Sequence, residues 1–314
     1  MSSGAHATLR ALGATVLQRD WLSANHTVFA GDADAPATVV DTGYGRHAAM
    51  SLALIDHALA GERLGRVLNT HLHSDHCGGN AALQARDPAL QTWVPAGSAD
   101  LVRQWDEDRL SYRYTGQFCE PFRVDAALVP GQSVRLGPAA WQVHAAPGHD
   151  PDAVLLFEPQ TRTLLAGDAL WEDRLAIIFP EIEGEPGFGP TRDTLALIES
   201  LAPRLVVPGH GAPFEDLATA LAASRRRLDA FEREPARHLR HAARALLMYH
   251  LMEVRRRPRA ELLAWLPATP IFEAMRRRLG AGPGWGAELL DGLLDDGLLH
   301  DHAGILHLAG ESPR

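Results

Sequence analysis

The chain has 314 residues and a formal net charge of −9, and all 30 of its basic residues are arginine. The lack of lysine excludes Schiff-base and other lysine-dependent chemistry, and the acidity argues against long runs of phosphate contacts. Two cysteines, Cys77 and Cys119, are too few for a disulfide scaffold and read as reduced thiols; the opening MSSGAHATLRALGATVLQRD lacks a secretory pattern and no stretch is apolar enough to span a membrane, so the expected setting is the cytoplasm.

The first two thirds of the chain alternate β-branched runs with helical periodicity. Residues 37–41 (ATVVD) predict a strand that stops at Thr42-Gly43, and the spacing of Met50, Leu52, Leu54, Ile55 and Leu59 predicts a helix over 48–60. Residues 66–69 (RVLN) form a strand running into a histidine-rich loop, a helix starts at 80–84, and 91–94 is another short strand. Residues 105–122 mix aromatic and polar side chains and predict a long loop. Strands are expected at 141–144, 153–157 and 163–165, a second long loop at 171–190, a helix at 191–201 and a buried strand at 205–207. Long loops are often binding surfaces, which makes Tyr112, Tyr114, Trp171 and Phe179 candidate substrate contacts, and the loop aromatics and C-terminal helices candidate homodimer surfaces.

From Ala218 onward the pattern is helical. Long helices are expected at 217–231 and 238–253, shorter ones are punctuated by Pro258, Pro267 and Pro270, and a helix at 287–294 ends near Asp296-Gly297. Residues 298–308 then predict a hairpin turning at 302–304. Helices followed by a hairpin resemble a winged-helix module. The charge shifts too: residues 1–217 carry −12 and residues 218–314 carry +3. Arg clusters at 225–227, 255–257 and 276–278 read as solvated helix faces. The expected organisation is an α/β domain over 1–217 and a helical, winged-helix-like domain over 218–314.

The chemistry concentrates at Thr70-His71-Leu72-His73-Ser74-Asp75-His76-Cys77-Gly78-Gly79, directly after a strand. Neutral imidazole nitrogen and carboxylate oxygen both suit zinc. His71, His73, Asp75 and His76 are too crowded to serve one ion comfortably but can serve two neighbours, and the glycine pair lets the chain turn tightly into the next helix. Three later residues, each at a strand end beside a glycine, complete the set: His149 in APGH, Asp168 in LAGD and His210 in VPGHG. Cys77 reads as a buried, inert thiol.

In this pattern the sequence resembles the metallo-β-lactamase-fold hydrolases, a group with glyoxalase II-type thioesterases, lactonases, β-lactamases and some nucleases. The resemblance covers roughly residues 20–215. It implies an αββα sandwich with the site at one edge of the sheets. It also implies a first metal on His71, His73 and His149, a second on Asp75, His76 and His210, and Asp168 bridging both. Asp41, in VVDTG, matches an aspartate that supports the metal loop from behind. The full donor set favours two metals, zinc in the first instance, with iron and manganese also allowed by ligand type. The implied mechanism is attack by a hydroxide bridging the metals, with the cations polarising the acyl carbonyl and Asp75 available as a proton shuttle.

The resemblance has gaps. Asp150 stands where the family often has a small hydroxyl residue; it is either a hydrogen-bond partner of a ligating histidine or a turn residue. No basic residues that would clamp glutathione are evident, nor is the site tyrosine of the quorum-signal lactonases. Residues 218–314 replace the short helical tail of the glyoxalase II group. The leading expectation is a hydrolase of a small-molecule thioester or ester. Lactone or β-lactam hydrolysis, and RNA cleavage with the C-terminal domain as a grip, are the alternatives.

Overall fold

The structure, a computed structural model, describes residues 2–309. These form two compact units. The first runs to Asp229 but omits Ser111–Gln117; the second takes Ser111–Gln117 and the described chain from Ala230 on.

Two sheets build the first unit. The first holds β1 (Ala14–Leu17), β2 (His26–Phe29), β3 (Ala37–Val40), β4 (Leu64–Leu68), β5 (Gln91–Pro95) and β6 (Ala126–Leu128) side by side in chain order. β1 to β3 are antiparallel, whereas β3 to β6 are parallel. Parallel neighbours need a crossover, and helices Ala48–Leu59 and Asn80–Arg86 supply the first two. The second sheet contains β7 (Ser133–Leu136), β8 (Ala139–Ala145), β9 (Val154–Glu158), β10 (Thr163–Gly167) and β11 (Leu205–Pro208), ordered β11-β10-β9-β8-β7. Its one parallel pair, β10 with β11, is joined through helix Phe188–Leu201.

Side chains alternate across a strand, and here both faces are apolar. Phe29, Val40 and Leu68 pack between the sheets against Leu136, Trp141 and Leu156. Their neighbours Val28, Val39 and Val67 pack on the other face against Ile55, Leu59 and Leu83 of the crossover helices. In the second sheet Leu155, Leu164 and Val206 are as buried as Leu156, Leu165 and Val207, and helix Phe188–Leu201 buries Leu195 and Ile198. The result is the helix–sheet–sheet–helix sandwich that the family resemblance implies.

In the second unit β12 (Arg256–Pro258), β13 (Leu299–His302) and β14 (Ile305–Leu308) form a small antiparallel sheet ordered β12-β14-β13. Helices Pro235–Val254, Arg259–Ala268, Pro270–Arg278 and Trp285–Asp295 accompany it and bury Leu247, Leu262, Phe272 and Leu290. The hairpin turns at Ala303 and Gly304, both with positive φ, inside the expected 302–304. No helix among the described residues is long and apolar enough to cross a membrane.

Three expectations change. The units part at Asp229, not at the 217/218 step in composition. Helix Leu217–Arg233 runs through that step, and Arg225 to Glu199 (2.7 Å) and Asp229 to Arg192 (2.8 Å) tie it to the first unit. The stretch 105–122 is not one loop: Tyr112–Thr115 is helical, and its Thr115 hydroxyl donates to Ser111 O at 2.7 Å. The stretch 171–190 likewise holds helix Phe179–Glu183, with Pro180 near its start, where proline loses no helical hydrogen bond.

Candidate metal centre

The candidate ligands are gathered by strand ends. β3 delivers Asp41, and β4 leads through Asn69 and Thr70 into the 71–76 loop. β8 leads toward His149, β10 ends before Asp168, and β11 before His210. The parallel pairing of β10 with β11 brings the last two loops together, with Gly209 N–H donating to Gly167 O at 2.7 Å. Inside the first loop, Ser74–Cys77 is a single helical turn that packs Asp75 and His76 inward.

Three sets of donor atoms are close enough to share an ion: His71, His73 and His149; His71, His76 and Asp168; and Asp75, His76 and His210, each set within 4.8 Å. Asp168 lies between them. Its Oδ1 is 3.3 Å from His76 Nε2, and its Oδ2 is 3.5 Å from His149 Nε2 and 3.9 Å from His210 Nε2. His210 Nε2 is also 3.1 Å from Asp75 Oδ2.

Hydrogen bonds behind the cluster aim the imidazoles. Asp41 accepts three: from Thr70 N–H at 2.9 Å, the Thr70 hydroxyl at 2.8 Å and His76 Nδ1–H at 2.8 Å. His71 Nδ1 is 3.2 Å from the Thr70 oxygen, and His149 Nδ1–H donates to Ile177 O at 2.5 Å. Once the far nitrogen carries the proton, Nε2 turns its lone pair into the site. His71 Nε2 is buried there with no hydrogen-bond partner, and His76 Nε2, also buried, has the Asp168 carboxylate near it, at 3.3 Å and without hydrogen-bond geometry. A buried polar atom left so is costly, and a metal ion satisfies it. The donor set therefore fits metal binding.

The electrostatics agree. Burial, together with His76 and the other imidazoles, holds His71 well below the ordinary histidine range; burial brings His73 down to about 3 and lowers His149. These rings are neutral, as ligands must be. Burial opposes ionisation of Asp168 and Asp75, but His76 and His210 keep both below the usual carboxylate range. Burial would also lower His76, yet Asp168, Asp41 and Asp75 hold it well above normal. That nitrogen sits in the negative environment a cation prefers.

The sequence profile of the Metallo-beta-lactamase superfamily matches residues 19–210. The chain belongs to this superfamily. A hydroxyacylglutathione hydrolase from Methylococcus capsulatus is 33% identical over 129 residues, which is 38% of this chain and 43% of that protein. One from Anaeromyxobacter dehalogenans is 37% identical over 139 residues, 44% of each chain. The chain thus spans less than half the length of these curated relatives. The crystal structure of a metallo-beta-lactamase family protein from Thermus thermophilus is similar with a TM-score of 0.56 and 18% identity, covering 94% of this chain and 98% of that one. This is a likeness of fold.

Within the superfamily fold, His71, His73, Asp75, His76, His149, Asp168 and His210 come together, and Asp41 stands behind them. Trp171 joins them, its indole N–H donating to Asp168 Oδ1 at 3.1 Å. Tyr112 and Tyr114 belong to the second compact unit, where Tyr112 is buried. Asp150 Oδ2 is 3.9 Å from His73 Nε2, beyond hydrogen-bond reach, while its Oδ1 accepts Asp152 N–H at 2.8 Å as a turn residue does. Burial pushes its carboxyl up to about 7.

Sequence reasoning missed Trp21 and Asn25. The Trp21 ring stacks on His210 with centroids 4.2 Å apart, and Asn25 Nδ2 donates to Pro208 O and Gly211 O at 2.9 and 2.8 Å. No motif marks either, since their partners lie more than 180 positions away.

Cys77 and Cys119 are both buried, with their sulfurs 3.8 Å apart. A disulfide needs about 2.05 Å, a short closure. Mild peroxide treatment is expected to join them, with the intact mass falling by two hydrogens and both thiols lost to titration. Two titratable thiols after treatment would mean that the backbone holds the sulfurs apart.

Proposed function

We propose that this protein is a metal-dependent hydrolase that cleaves a small-molecule thioester or ester at a centre of two divalent cations, zinc in the first instance. His71, His73 and His149 would hold one ion, Asp75, His76 and His210 the other, with Asp168 shared. The observation that carries the reading is the buried, unpartnered Nε2 of His71 beside His76 Nε2, which faces the Asp168 carboxylate, inside these donor sets. When bound, such ions supply Lewis acidity for the acyl carbonyl and acidify water. The chain's own part is to hold neutral imidazoles at fixed tautomers, to keep Asp168 and Asp75 ionised, and to offer Asp75 as acceptor for the water proton. Support for the acyl class comes from the name hydroxyacylglutathione hydrolase carried by relatives. What supports a winged-helix reading of the second unit is its run of helices closed by a hairpin and a third strand.

The test is elemental analysis per chain alongside a panel of an acyl-CoA, S-lactoylglutathione, a homoserine lactone, nitrocefin and single-stranded RNA. About two metals with thioester turnover, lost in His71→Ala, is the expected result. Cleavage of RNA alone would move the function to a nuclease. One iron without hydrolysis would overturn the reading.

Asp41→Ala strips His76 Nδ1–H, Thr70 N–H and the Thr70 hydroxyl of their acceptor. Metal affinity is expected to fall about 10–100-fold, read by chelator competition. Unchanged affinity would mean that Asp41 does not aim His76.

A further inference from the structure

Trp21 is a large apolar side chain that is 43% exposed and yet firmly held. Its ring lies nearly parallel to His210, at 15° and 4.2 Å. Trp171 meets it edge-on at 5.8 Å and stands edge-on to His210 at 5.3 Å. Because Trp171 also donates to Asp168, both indoles are registered against side chains that face the centre.

The backbone beside Trp21 is stitched to the loops that carry those side chains. Ala24 N–H donates to Asp75 O at 2.9 Å, and Asn25 N–H to Gly209 O at 2.7 Å. The Asn25 amide spans Pro208 O and Gly211 O, on either side of His210. Trp21 combines a fixed position with an open surface. Tryptophan offers a large rigid apolar area at low entropic cost when something settles on it, and aromatic rings favour other flat groups.

We propose that Trp21 and Trp171 form an aromatic platform that receives the flat, apolar acyl group of the substrate, so that the protein prefers aryl over small aliphatic acyl thioesters and esters. This rests on the hydrolase reading above and narrows its substrate class. Trp21 acts as a specificity residue: it touches the acyl group and leaves the chemistry to the centre. A small acyl group reaches the carbonyl position without covering the platform, whereas an aryl group spreads over it.

The experiment uses the metal-loaded full chain and two thioesters of one thiol, naphthoyl and acetyl. Trp21→Ala is expected to lower the naphthoyl-to-acetyl ratio of kcat/KM about tenfold, equal to about 1.4 kcal/mol, mainly through KM for the naphthoyl substrate. Trp21→Phe, which keeps an aromatic face, is expected to restore most of the ratio. Calorimetric binding of naphthoate and acetate supplies a readout independent of turnover, and naphthoate is expected to bind tighter in a Trp21-dependent way. An unchanged ratio in Trp21→Ala, or naphthoate binding no tighter than acetate in the unaltered protein, overturns the platform. Trp21-dependent naphthoate binding without turnover of any thioester or ester leaves the platform standing and removes the acyl-substrate reading.

Discussion

Asp168→Ala is expected to lower turnover about a thousandfold and to leave less than one tightly held metal per chain. Asp168 approaches both donor groups, at 3.3 Å from His76 Nε2 and 3.5 Å from His149 Nε2. On the proposed assignment its loss uncouples the two ions. A metal's charge stabilisation is worth several kcal/mol in the transition state, and each 1.36 kcal/mol is about tenfold in rate. The loss also leaves three buried imidazoles without the carboxylate that offsets their crowding. Elemental analysis and kcat/KM at saturating metal check the result, with circular dichroism to confirm folding. Two retained metals and near-normal turnover would remove Asp168 from the centre.

Gly209→Ala is the second large effect. A Cβ there would lie 2.2 Å from Asp168 Oδ1 and 2.8 Å from His76 Cε1. Both are side chains of the cluster, so neither can yield without moving a donor. Nor can the backbone retreat. Gly209 N–H is held by Gly167 O and its carbonyl by Asn25 N–H, each at 2.7 Å. Overpacking of this kind costs about 1–3 kcal/mol, and here the displacement falls on the proposed ligands. The expected outcome is a modest fall in Tm with a loss of metal and of at least about a hundredfold in turnover, since an ångström of misplacement alone costs that much. A folded Gly209→Ala variant with full metal content would show that the cluster tolerates a wider spacing than the structure has.

Much of the centre was legible because its donors are local or sit at strand ends. His71, His73, Asp75 and His76 lie within one loop, so spacing alone exposes them. His149, Asp168 and His210 each follow a β-branched or apolar run and a glycine, a pattern read without knowing which strands pair. The strands around them were legible for the same reason: β3, β9, β10 and β11 are buried on both faces and read as continuous apolar runs. β2 was not, because His26 and Thr27 interrupt a four-residue strand whose polar side chains are nonetheless buried. Helix Tyr112–Thr115 was missed because one turn carries no periodicity.

The sequence by itself determined the donor types, their chain order and most of the strands that carry them, since these are written in short-range spacing and in which residues avoid water; the two-sheet sandwich came from the family resemblance those donors carry. Tertiary structure alone decided which distant residues meet. The β10–β11 pairing closes the His210 loop onto Asp168, and the Asn25 clamp brings Trp21 over His210. Ser111–Gln117 groups with the second unit although the chain on either side of it belongs to the first. Two thiols 42 positions apart come within 3.8 Å. The physical reason is common to all four. Local periodicity fixes the face a side chain occupies, whereas its partner depends on strand register and sheet packing, which are settled over the whole chain.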